Sequence, residues 1–167
     1  NQKGYNRIYG SLDRYTDFAV AISGAAYDFV AATRELVGAA RGDRLKVAKI
    51  GDATKFAEIV VVPGDSIVGL STSGSGFLVS TTGRQIIRVD FEAVPPTLPT
   101  HVRRTVLLNN AVAPVRVLAS DGDRLFFVDG GGLQRVFEGG SGSAGLTLPG
   151  GTPSALGVAA GSVYAAV

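Results

Sequence analysis

Short apolar runs separated by turns of small residues recur along this chain, and four of them share one form. Each is a strand-length apolar segment, a tight turn and a second apolar segment: Phe18–Ala31, Ile67–Ser80, Val115–Val128 and Ala155–Val167. Their starts lie 49, 48 and 40 residues apart, and a period of that size marks a repeat architecture. A third segment follows in three of the copies, at Arg34–Ala39, Arg84–Phe91 and Leu133–Phe137, and it alternates polar and apolar residues more than the first. Continuous apolar runs suit strands covered on both faces, and alternation suits strands with one wet face. The pattern therefore predicts that the first strand of each repeat is the most deeply buried and the third lies nearer the surface.

A fourth apolar segment leads into the next repeat at Glu58–Val62, Thr105–Leu108 and Gly145–Leu148. In each case Pro, Gly or Asn breaks the run before the next first strand, and these residues end a strand and redirect the chain. Four antiparallel strands followed by a crossing to the innermost strand of the next unit describe a β-propeller blade. The expected fold is all-β: a β-propeller-like array of four-stranded antiparallel blades, about three and a half of them, forming part of a larger propeller. Residues 1–16 are expected to form an N-terminal edge strand or arm. The blades are expected at 17–63, 64–109 and 110–149, with an incomplete blade at 150–167. A helical alternative exists for Asp17–Ala40, where Phe18, Ile22, Ala25, Ala26, Phe29, Val30 and Leu36 partly match one helix face. Gly24, the neighbouring branched residues and the match to the other copies favour strands.

The phrase Leu146–Val167, reading LTLPGGTPSALGVAAGSVYAAV, and the repeat as a whole resemble the β-propeller repeats of the broad NHL, quinoprotein-like and YVTN-like group. The resemblance runs from Asp17 onward. It carries no WD dipeptide, no kelch double glycine and no tryptophan-docking motif. It implies a fold and not an activity, because such repeats serve scaffolds, sugar-processing enzymes, lactonases and virion parts alike.

Composition agrees with a packed β protein. Hydrophobic residues make up 46% of the 167 and charged residues 18%, which argues against a disordered chain. The 16 basic and 14 acidic side chains are interspersed and leave a net charge of +2, so no basic footprint for nucleic acid stands out. The absence of Cys removes disulfides, thiol nucleophiles and thiolate metal sites. The absence of Met at residue 1 points to a processed start or a segment of a longer chain. No stretch is long and apolar enough for a membrane-spanning helix.

The candidate chemistry is sparse. His101 is the single histidine and precedes Arg103 and Arg104 in a Pro-rich crossing; alone it has no local triad or metal partners. Asp121 and Asp123 flank Gly122 in a turn and could begin a calcium site, although Asp-Gly is also favoured hairpin chemistry and the other repeats carry no carboxylate there. Arg41-Gly42-Asp43 has the order of an adhesive tripeptide, and also of an ordinary turn. Gly140–Gly145 has the spacing of a dinucleotide-binding loop, but Leu-Thr-Leu-Pro follows where a helix should begin. Asp90 with Glu92 is a carboxylate pair by type only. Tyr5, Arg7, Tyr9, Arg14 and Tyr15 interleave aromatic and basic residues on the N-terminal segment and are the expected partner-binding residues.

These observations lead to the expectation of a non-catalytic structural or protein-binding module of a larger assembly, such as a phage virion or tail or a cell-surface protein. The expected partners are other proteins or further blades, in an oligomer or multi-chain assembly, with no cofactor, nucleic acid or membrane insertion. The alternative is part of a glycosidase- or lactonase-like propeller enzyme whose catalytic residues lie on other blades.

Overall fold

The computed structural model describes residues 26–50, 52–92, 102–130, 132–137, 143–147, 150–159 and 161–167. These form fourteen strands, and no helix occurs among them. Sheet 1 comprises β1 (Phe29–Ala32), β2 (Leu36–Arg41), β3 (Arg44–Lys49) and β4 (Asp52–Val60). Sheet 2 comprises β5 (Ile67–Ser73), β6 (Gly76–Thr81), β7 (Ile86–Phe91) and β8 (Val102–Leu108). Sheet 3 comprises β9 (Val117–Ser120), β10 (Arg124–Asp129), β11 (Gly132–Phe137) and β12 (Ser143–Leu146). Sheet 4 has β13 (Ala155–Ala159) and β14 (Ser162–Ala166). In the first three sheets the spatial order is the sequence order, and all their pairings are antiparallel.

The chain steps from the fourth strand of one sheet to the first strand of the next, and the first strands lie side by side: β1 against β5, β5 against β9, β9 against β13. Three apolar clusters fill the spaces between sheets. Leu36, Val47, Ile59, Phe77, Val79 and Val89 join sheets 1 and 2. Leu78, Ile86, Leu118, Leu125 and Phe127 join sheets 2 and 3. Phe126, Val128 and Leu133 meet Leu156, Val158 and Val163 of sheet 4. Consecutive residues of β6 and β10 thus point into different clusters, as the two-residue period of a strand requires. Full burial of each large apolar side chain contributes about 1.5–3 kcal/mol.

The burial order corrects one expectation. In the three four-stranded sheets the most deeply buried strand is the second and not the first: Leu36–Ala40 of β2 and every residue of β6 are buried, and Leu125–Val128 of β10 are buried together. β5 and β9 are only partly covered. The first strands form sheet edges, whereas β2, β6 and β10 have a strand on either side within their sheets, and β6 and β10 have an apolar cluster on both faces.

The first repeat is also set one strand later than its apolar pattern suggests. Phe29–Ala32 occupies the first-strand position and Leu36–Arg41 the second. The turn between them is made by Thr33, whose hydroxyl accepts the amides of Glu35 and Leu36 and donates to the Leu36 carbonyl. Such side-chain-closed turns need no Gly or Pro. Residues 26–41 contain strands rather than helix, and 17–25 lie outside the described residues.

Two turns anchor the crossings between sheets. Gly42 adopts a left-handed conformation, with φ of 56°, in the two-residue β2–β3 hairpin. Its carbonyl accepts the Ile67 amide at 2.7 Å, and the Asp43 carbonyl accepts that of Val61 at 2.9 Å. In sheet 2, Arg84 is left-handed with φ of 63°, and its carbonyl accepts the Ala111 amide at 3.0 Å.

Candidate functional site

The carboxylate turn between β9 and β10 is internally satisfied. Asp121 accepts the Asp123 amide at 3.2 Å, the Arg124 amide at 2.8 Å and the Arg124 Nε at 2.7 Å, with a further bond from Arg124 Nη2. Burial pushes the Asp121 carboxyl up, but the hydrogen bonds from Arg124 and Asp123 and the Arg124 charge outweigh it and hold it below its ordinary value. Arg124 also lies over the Phe126 ring, 5.6 Å from its centre, and reaches the Gly161 carbonyl of sheet 4 at 3.5 Å. The pair Asp121 and Asp123 thus makes a turn whose arginine bridges two sheets. No group of three or more metal-ligating side chains occurs among the described residues.

Asp65 builds a similar latch at the start of β5. Its Oδ1 accepts the Thr82 hydroxyl, and both carboxylate oxygens accept the Gly83 amide, at 2.8 and 3.0 Å. Burial pushes this carboxyl up, while the Thr82 hydroxyl and the Gly83 amide pull it further down, so that it lies below its ordinary value. Asp90 pairs with Arg88 at 2.9 Å and Arg103 at 3.7 Å, which engages one member of the Asp90–Glu92 pair in ion pairs. Arg41-Gly42-Asp43 is the hairpin that clamps the crossing to β5. Of the Gly140–Gly145 loop, Ser143–Gly145 belongs to strand β12, paired with β11. His101 and the expected partner-binding residues Tyr5, Arg7, Tyr9, Arg14 and Tyr15 lie outside the described residues.

Concave surfaces among the described residues include one between the β1–β2 and β5–β6 turns, lined by Thr33, Arg34, Glu35, Leu36, Gly74 and Ser75, and two more. At the starts of the first strands, Asp28, Phe29, Ile67, Val68 and Arg116 line a cleft of about 390 Å³. On sheet 1, Tyr27, Arg41, Arg44, Lys46 and Glu58 line a smaller groove of about 150 Å³, across which Arg44 and Glu58 pair at 2.7 Å.

A further exposed feature among the described residues is an apolar face on sheet 4. The third residues of the four first strands are Ala31, Gly69, Ala119 and Gly157. Each is small and lies on the face turned away from the preceding sheet, because its neighbours or its own contacts fix the opposite side of the pleat. At Gly69 the next sheet arrives closely: a Cβ there would lie 2.8 Å from Leu118 Cδ2 and 3.2 Å from the Arg116 carbonyl. At Gly38 of β2 the Phe77 ring of the next sheet fills the same kind of seat, with a Cβ meeting Cε1 at 2.7 Å. Gly69 and Ala119 are buried, whereas Ala155, Gly157 and Ala159 are exposed. Nothing approaches within 4 Å of a Cβ at Gly157. Tyr164, its cross-strand neighbour, is 61% exposed. The sequence pattern places these residues in a strand pair but does not separate a covered face from an open one.

No family model matches the chain, and no curated protein gives a significant match.

Proposed function

We propose that the chain is a non-catalytic structural or protein-binding module of a larger assembly, built from successive β-propeller-like blades and working through the outer face of sheet 4. The supporting observation is the contrast within the repeat. The small-residue face that is covered by the following sheet at Gly69 stands open at Gly157, flanked by Ala155, Ala159 and Tyr164. A flat apolar strip with an exposed tyrosine fits a protein surface better than a small polar ligand. The blade reading draws on the antiparallel strand order and on the first strands lying side by side. A virion or an extracellular surface is the setting proposed for such a module.

The test is a photo-crosslinking amino acid at position 164, compared with the same group at Glu35 in the exposed β1–β2 turn. Protein adducts formed in the native assembly from position 164, and not from 35, support the proposal. Equal or absent adducts at 164 contradict it.

A further inference from the structure

We propose that the cleft at the starts of the first strands binds an elongated apolar zwitterion: a short peptide or ω-amino acid with an ammonium group at one end and a carboxylate at the other. The site is separate from the sheet 4 face and stands whether or not that face meets a protein. Three successive sheets build it. Asp28 and Phe29 come from the start of β1, Ile67 and Val68 from the start of β5, and Arg116 from the residue before β9. Its volume of about 390 Å³ lies in the range of small-molecule sites.

The floor is apolar. Phe29 and Ile67 take part in the cluster between sheets 1 and 2, so packing holds them in place. Val68 is the extra residue of a β-bulge: Ile67 pairs with Thr81 and Gly69 with Ser80, which leaves Val68 unmatched on β6. Bulges re-aim single side chains, and here the bulged residue lines the cleft. The two charges flank that floor. Asp28 belongs to sheet 1 and Arg116 leads into sheet 3, with β5 between β1 and β9. Both are exposed, and neither side chain has an ion-pair or hydrogen-bond partner among the described residues. The fold itself needs no charge there. The residue before the first strand is Asp28, Ser66, Arg116 and Ser154 in the four sheets, so serine fills the place in two of them.

This arrangement selects its ligand by charge separation. An ammonium group pairs with Asp28, and a carboxylate pairs with the Arg116 guanidinium, whose planar fork can donate two parallel bonds to it. An α-amino acid carries both charges on one carbon, whereas the cleft holds its counter-charges on different sheets. A dipeptide carries them at its two ends, with apolar side chains between to cover Phe29, Ile67 and Val68.

The probe is leucyl-leucine, titrated into the isotope-labelled full chain and followed by amide chemical shifts. Saturable shifts are expected at Phe29, Ile67 and Val68. Asp28→Asn and Arg116→Gln should each weaken binding by about fivefold, as expected for an ion pair open to solvent. Both positions are exposed, so the fold should survive, and unchanged shifts elsewhere would verify it. If either variant disturbs the fold, Asp28→Ser and Arg116→Ser, which place the residue of the equivalent positions, serve the same test. N-acetyl-leucyl-leucine keeps only the carboxylate, so its weaker binding should respond to Arg116→Gln and not to Asp28→Asn. Leucyl-leucine amide keeps only the ammonium group and should respond in the opposite way. An absence of saturable shifts, variants that bind as the original does, or blocked dipeptides that respond to the wrong variant would overturn the proposal. N-acetyl-leucyl-leucine amide binding as tightly as the free dipeptide would overturn it too, and would mark the cleft as a seat for an internal polypeptide segment.

Discussion

Two glycines at the same position of the repeat show how one residue's worth depends on what faces it. A Cβ at Gly69 would lie 2.5 Å from the Ser80 hydroxyl oxygen and 2.8 Å from Leu118. At Gly157 it would enter open space. Gly69→Ala should therefore destabilise the chain by about 1–3 kcal/mol through overpacking. Gly157→Ala should be neutral or stabilising by about 0.4–1 kcal/mol, because alanine restricts the unfolded chain at no steric cost. Urea denaturation of the two variants measures both, and equal losses at the two sites would contradict the assignment of Gly69 to a packed junction. The carboxylates Asp65 and Asp121 are the other residues whose surroundings set their behaviour. Both are held below the ordinary carboxyl value in the folded chain. Their contribution to stability is thus complete above the unfolded value of about 3.9. It is lost as pH falls through the lower folded values. The urea midpoint should fall as pH drops below about 4, and Asp65→Asn with Asp121→Asn should flatten that fall. An unchanged slope in the double variant would show that the latches do not hold the fold.

Among the elements, strand positions and order in sheets 2 and 3 were legible in the sequence, because apolar runs and Gly or Pro breaks coincide there. Ile67–Ser73, Gly76–Thr81 and Ile86–Phe91 follow the pattern closely. Sheet 1 was misread by one strand because its first turn is closed by the Thr33 hydroxyl rather than marked by Gly or Pro. The burial order was misread for a different reason. Apolar content reports that a strand is covered but not whether it is a sheet edge, and β5 is an edge while β6 is not. The turn reading of Asp121-Gly122-Asp123 could be argued from hairpin chemistry. The bridge from Arg124 to Gly161 could not, because those residues are far apart in the chain and meet only when sheets 3 and 4 stack. The open strip on sheet 4 was equally hidden, since Gly157 and Gly69 look alike until their neighbours are known.

At the scale of the whole molecule, the described residues form successive sheets in which β2, β6 and β10 are the protected interior, and among these residues the outer face of sheet 4 is exposed. The central claim is that this burial order, rather than apolar content, sets local stability. Amide hydrogen exchange on the dilute full chain tests it most directly, since exchange reports the free energy of opening each strand. The account predicts slowest exchange in Leu36–Arg41, Gly76–Thr81 and Arg124–Asp129, intermediate exchange in Ile67–Ser73, and fastest strand exchange in Ser162–Ala166. Protection of Ser162–Ala166 equal to that of Gly76–Thr81 at dilution, or greater protection of Ile67–Ser73 than of Gly76–Thr81, would contradict it.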